Sequence, residues 1–134
     1  MKILIDTNVI VDVALERQAY LEASEQVLLL VEQDRFDGYI SASTVSDLYY
    51  ILRKQKGREW TIDFLQRLFT YCEIATVNDA AIRTALSANF ADFEDAIQYG
   101  TAMVNQLEAI VTRNPQDFPV EMPRILTPTQ LIAE

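Results

Sequence analysis

The stretch Lys2-Ile3-Leu4-Ile5-Asp6-Thr7-Asn8-Val9-Ile10 opens the chain, and its reading decides the fold. A short apolar run that stops at an acid reads as a buried strand. Asp6-Thr7-Asn8 then supplies helix-capping residue types, and Val9, Ile10, Val13 and Ala14 follow at helical spacing. Asp6 thus stands where a strand turns into a helix. On position alone it suits an N-cap. It equally suits a site, because a carboxylate closing an apolar strand is costly to desolvate without a partner.

The same alternation continues outward. A helix is predicted over about 20–34, with Leu21, Val27, Leu28 and Val31 inward, then a turn at Asp37-Gly38 and a strand at Tyr39-Ile40. Ser41 to Ser43 caps a helix over 43–55, whose stripe is Val45, Leu48, Tyr49 and Leu52, with Asp47 away from its centre. Gly57 breaks it. Residues 59–71 form a further helix, with Trp60, Phe64, Leu65 and Leu68 inward, and Ile74-Ala75-Thr76-Val77 reads as a strand. Asn78-Asp79 caps a helix to about Ser87, and Asp92 begins one reaching to Gln106. Ala109 to Thr112 is a strand, 113–119 a polar loop, Arg124 to Leu126 an edge strand, and Pro128 opens a last short helix. Strands alternating with helices or helix pairs predict a parallel sheet covered on both faces, in one domain spanning 1–134. In such sheets ligands collect beyond the carboxyl ends of the strands. Asp6 and the segment Thr112 to Asp117 both fall there.

Composition removes several chemistries. The 134 residues contain no histidine, so a Ser-His-Asp triad, a Cys-His dyad and His-ligated zinc are excluded. Cys72 is the only cysteine and reads as a small core residue. No signal peptide is visible and no apolar run reaches the ~18 residues a membrane span needs. A reducing, cytoplasmic setting is expected. The net charge of −9 opposes nucleic acid in bulk, yet Arg53, Lys54, Lys56 and Arg58 place four of the eleven cations within six residues. That run suits a solvated helix end or a binding patch.

The acids are ambiguous one by one. Asp92 and Asp95 share a helix face, with Glu94 pointing elsewhere; acids in a first turn complement the macrodipole, and they can also surround a cation. Asn114, Pro115 and Asp117 are ordinary turn residues. Taken together they say more. The predicted topology brings Asp6 and the 112–117 loop to one sheet edge, and Asp47 and Asp95 lie on helices that begin near it. Several carboxylates without a neutralising Lys or His are unstable together unless they bind a cation. All-oxygen ligands select Mg²⁺ or Mn²⁺, which suits displacement at phosphorus.

Ile3 to Val9 resembles the opening of PIN-domain nucleases. Asp92-Phe93-Glu94-Asp95-Ala96-Ile97-Gln98-Tyr99 resembles the third motif of the PIN toxins (VapC-like) of bacterial toxin–antitoxin pairs. Val111-Thr112-Arg113-Asn114 with Asp117-Phe118 resembles the fourth, in a subgroup with Asn first and the acid three residues later. The motifs cover nearly the whole chain in order. The resemblance implies an α/β/α sandwich around a parallel sheet and a Mg²⁺- or Mn²⁺-dependent ribonuclease. By motif, Asp6, Asp95 and Asp117 match metal-binding acids. Asp47 falls where the family usually has Glu. Thr7, Asn8, Thr112 and Asn114 match hydrogen-bonding neighbours, and Asp92 a peripheral acid or a cap. Arg53, Lys54, Lys56, Arg58 and Arg113 are the candidates to follow an RNA backbone. A homodimer and a cognate antitoxin are further implications.

Two other readings compete. A non-catalytic PIN-like interaction module would account for the Asp47 and Asn114 departures. A phosphatase of the haloacid-dehalogenase type also places an acid after the first strand, but it needs an Asp two residues later, where Asn8 stands, and a lysine in the site, and no lysine follows Lys56.

Overall fold

Ile3, Leu4 and Ile5 are wholly buried, and the alternation of their side chains divides the core. They belong to β1 (Lys2–Ile5), the middle of five parallel strands in a computed structural model that describes residues 1–134. The others are β2 (Asp37–Ser41), β3 (Cys72–Ala75), β4 (Ala109–Val111) and β5 (Arg124–Leu126), in the order β3-β2-β1-β4-β5. Ile3 and Ile5 face one side with Ala109 and Val111, and the larger core cluster forms there. Leu4 and Ile110 face the other, with Ala75, Ala102, Leu107 and Phe118. Each buried Leu or Ile contributes roughly 1.5–3 kcal/mol. The predicted α/β/α sandwich is therefore observed.

Seven helices cover the sheet: α1 (Thr7–Ala14), α2 (Leu21–Glu32), α3 (Ala42–Lys56), α4 (Arg58–Leu68), α5 (Asp79–Ser87), α6 (Phe93–Val104) and α7 (Pro128–Ile132). α1 to α4 and α7 supply the larger cluster, and α6 supplies Ala102 to the smaller one. No helix is long and apolar enough to cross a membrane. Cys72 is buried, as its reading as a core residue expects.

Two details differ from the sequence reading. β3 lies at Cys72–Ala75, two residues before the predicted strand. Its register pairs Gly38 with Cys72 and Ser41 with Ala75, so the buried positions are the small residues Cys72 and Ala75. Ile74, which opened the predicted strand, is half exposed on this sheet edge. The second is Asp12, fully buried on α1. Arg113 Nε lies 2.8 Å from its Oδ2, and Arg17 Nη1 3.6 Å from its Oδ1. The Arg113 guanidinium also covers the Tyr20 ring at 4.0 Å. Burial, the largest cause, raises the Asp12 pKa, and the Arg113 and Arg17 charges pull it back down.

α5 and α6 meet at Gly100. A Cβ there would lie 2.2 Å from the backbone oxygen of Ala81, which no rotamer change relieves. The absent side chain sets how closely α6 approaches its neighbour. Gly100→Ala should therefore destabilise despite its better helix propensity, by about 2 kcal/mol, the mid-range cost of overpacking. Thermal unfolding checks this as a fall in Tm of about 5–10 °C; an unchanged or higher Tm would show that the helices separate freely.

Candidate active site

β1 leads to strands on one side and then, after β3, the chain returns to the other side of β1 with β4. This switch point leaves a crevice at the carboxyl ends of β1 and β4. A cleft of about 510 Å³ opens there. Asp6, Thr7 and Asn8 enter it from the start of α1, and Thr44 and Asp47 from α3. Asp92, Glu94, Asp95 and Gln98 come from the start of α6, and Asn114 and Asp117 from the loop after β4. Tyr50 and Ile51 are the two apolar residues in the lining.

Asp6 occupies the N-cap position of α1 with an extended backbone, yet its side chain makes no cap hydrogen bond. The carboxylate turns away from the helix amides. Its Oδ1 accepts from Gln98 Nε2 at 3.0 Å and its Oδ2 from Thr112 Oγ1 at 2.8 Å. Thr112 Oγ1 in turn accepts from the Asn114 amide at 3.1 Å. One hydroxyl thus joins the end of β1 to the loop carrying Asn114 and Asp117. Asp6 is only 6% exposed, so these donors meet the desolvation cost of its carboxylate.

The other acids are placed by helix starts and one turn. Ser41 caps α3, accepting from the Ser43 amide at 3.3 Å, while Thr44 Oγ1 donates to the Ser41 carbonyl at 2.9 Å. Asp47 follows on the next turn. Asp92 caps α6, accepting from the Asp95 amide at 3.1 Å. It is thus a cap and a cleft residue together. A short 3₁₀ turn, Pro115–Asp117, presents Asp117, and the buried Phe118 beneath it packs edge-on against Phe90. Glu94 also lines the cleft, contrary to the expectation that it points elsewhere.

Half-buried Asp95 shows what this crowding does. Its pKa is raised to about 7, by burial first and then by the charges of Asp92, Asp6, Asp117 and Glu94. None of the six acids in the cleft takes part in an ion pair. The five ion pairs of the protein involve Asp12 (twice), Asp63, Asp79 and Glu134. No lysine or arginine lines the cleft. Nor does any group of three or more acidic side chains stand close enough together to form a ready-made metal site. The donors are of the right chemistry for a hard divalent ion and share one cavity, but they are splayed rather than converged.

The candidate cations divide. Arg53, Lys54, Lys56 and Arg58 are exposed, Lys56 lying over Trp60 at 5.3 Å. Arg113 is held against Asp12 and Tyr20, its side chain only 17% exposed, so its placement is structural rather than that of a free backbone contact. Sequence reading missed Gln98 and Asp12. Both are polar residues on the buried side of amphipathic helices, and that position was the available signal. The absence of lysine from the cleft removes the phosphatase alternative.

A sequence profile of the PIN domain matches residues 2–116. Ribonuclease VapC1 of Aquifex aeolicus is 27% identical, over 84% of this chain and 81% of that protein. The fold is similar to that in the crystal structure of VapBC2 from Rickettsia felis bound to a promoter DNA fragment, with a TM-score of 0.69 at 18% identity, covering 94% of this chain and 97% of that one. A toxin–antitoxin complex from Klebsiella pneumoniae gives 0.69 at 22% identity, over 93% and 96%. VapC20 of Mycobacterium tuberculosis, described as a sarcin–ricin loop cleaving toxin, gives 0.63 at 13%, over 81% and 86%. The profile spans most of the chain and the fold agrees with it: this protein belongs to the PIN-domain family.

Proposed function

We propose that this chain is a divalent-metal-dependent endoribonuclease, working as one PIN-like domain over 1–134 and as the toxin of a toxin–antitoxin pair. The observation that carries the reading is the set of six acids in one cleft with no cationic partner among them. Such a set is relieved by a divalent ion. Asp6, Asp95, Asp117 and Asp47 would hold the ion, either Mg²⁺ or Mn²⁺, and Asn114 would add a neutral oxygen. When bound, the ion makes a water nucleophilic near neutral pH and offsets charge on the phosphate oxygens. Thr112 holds Asp6, and Asp92 fixes the first turn that bears Asp95. Thr7 and Asn8 border the same cavity and orient what enters it.

RNA must approach against a net charge of −9. α3 offers a route. Asp47, the exposed Tyr50 and Lys54 recur on one side of this helix, with Lys54 about 10 Å beyond Asp47 along the axis. An exposed aromatic ring accepts a base by stacking and a lysine meets a phosphate, which suits a single strand. The names of the relatives support RNA as the substrate, and the two toxin–antitoxin structures support an antitoxin partner. In this reading the protein acts in the cytoplasm as a homodimer.

Cleavage of single-stranded RNA with Mn²⁺ tests the assignment. Asp6→Asn and Asp95→Asn should each lose about 100-fold or more, the several kcal/mol that an ion's charge stabilisation supplies. Activity that survives both would sink the site; no cleavage and no ion binding by the wild type would favour an interaction module. Asp47→Glu should keep or raise activity, because the family resemblance puts Glu at this position; a large loss would show a pocket packed around the shorter acid.

Asp95 also predicts a pH dependence in EDTA. Its folded pKa of about 7 lies above the ordinary 3.8, so the stability it contributes is present below 3.8 and lost as pH rises through about 7. Asp95→Asn should therefore be more stable than the wild type at pH 8, the advantage shrinking as pH falls from about 7 and gone only below about pH 4. Thermal unfolding of both proteins checks the sign, and a constant difference would refute it.

A further inference from the structure

We infer that Gln98 is a positioning residue of this site: it holds Asp6 toward the cleft without cancelling its charge. The inference rests on the metal-site reading above.

Gln98 lies on α6, one turn beyond Asp95, and is 3% exposed. Its Nε2 donates to Asp6 Oδ1 while the Thr112 hydroxyl donates to Oδ2. Both oxygens of a buried carboxylate are thus satisfied, and both donors are neutral. An arginine or lysine in either place would also satisfy them, but it would cancel the charge that a cation must meet. An amide and a hydroxyl hold the group and leave that charge in place.

The other end of the amide is left unbonded. With Nε2 turned to a carboxylate, Oε1 must face away. It is buried and has no hydrogen-bond partner in the protein. The Thr101 hydroxyl, one turn on, is committed to the Ile97 carbonyl at 2.7 Å. A leucine or methionine would fill the same volume but leave Asp6 Oδ1 without its donor, so core filling alone does not explain an amide here. Gln98 borders the acidic cavity. The close contact at Gly100, two residues along, fixes the height of α6 and so the reach of Gln98 to Asp6.

Mn²⁺ binding followed by calorimetry at pH 7.5, with thermal unfolding in EDTA, tests this. Gln98→Met keeps the length and removes the donor. Its metal-free Tm should fall modestly, because Asp6 Oδ1 loses its donor, while its Mn²⁺ affinity falls about 10–100-fold, the usual loss when a ligand's hydrogen-bonding partner is removed. Gln98→Asn, one methylene too short to reach Asp6, should weaken binding likewise and serves if the first variant misfolds. In an Asp6→Asn background Gln98→Met should cost nothing further, because the residue acts through Asp6. Mn²⁺ affinities within about twofold of wild type in the folded variants would leave Gln98 a core residue and overturn the inference. Absence of Mn²⁺ binding by the wild type would instead overturn the metal reading, and this inference with it.

Discussion

Mutual repulsion among carboxylates at one end of a parallel sheet is the constraint on which this structure turns. Burial first, and then the charges of its acidic neighbours, raise the pKa of Asp95. The fold bears this repulsion through features outside the cleft. Parallel pairing of β1 with β4 fixes Asp6 beside Thr112. The Ser41 and Asp92 caps set where two helices begin, and the Gly100 contact sets how deeply α6 sits.

Charge is sorted across the molecule. Asp12, Asp63, Asp79 and Glu134 all have arginine partners. The cleft acids have none. Asp12 is the telling contrast, because it is buried more completely than Asp6 and yet takes two arginines. Breaking a buried pair of this kind typically costs about 3–5 kcal/mol. The Asp12 to Arg113 contact ties α1, which begins beside Asp6, to the loop that presents Asn114 and Asp117. One buried acid is therefore neutralised and ties α1 to the loop, and the other keeps its charge, held by neutral donors. The type of donor each receives makes that difference.

Much of the fold was legible in the residues. Lys2 to Asn8 marked the central strand and the turn into α1, and the apolar periodicity of Val27 to Val31 and of Leu48 and Leu52 located the helices. β3 was misplaced because Cys72 and Ala75 carry little strand signal, whereas Ile74, half exposed on an edge, carries much. The acids Asp6, Asp47, Asp95 and Asp117 were nameable from the family motifs, and the structure lines one cleft with them. Arg113 was read as a surface cation because nothing local distinguishes it from Lys54. Its partner Asp12 lies far away in the chain, and that pairing exists only in the folded state.

The sequence by itself determined the periodicities, the absence of histidine chemistry, the excess of acid and the order of the motifs, since these are properties of residue identity and spacing. Tertiary structure alone decided which acids are neutralised and which are left without a cationic partner. Asp6 could cap its helix by every local rule, and instead it bonds to Gln98 and Thr112, 92 and 106 residues away. The physical reason is that a hydrogen bond depends on where a donor is in space, and the register of β1 with β4 and the approach of α6 bring those donors within 3.0 Å.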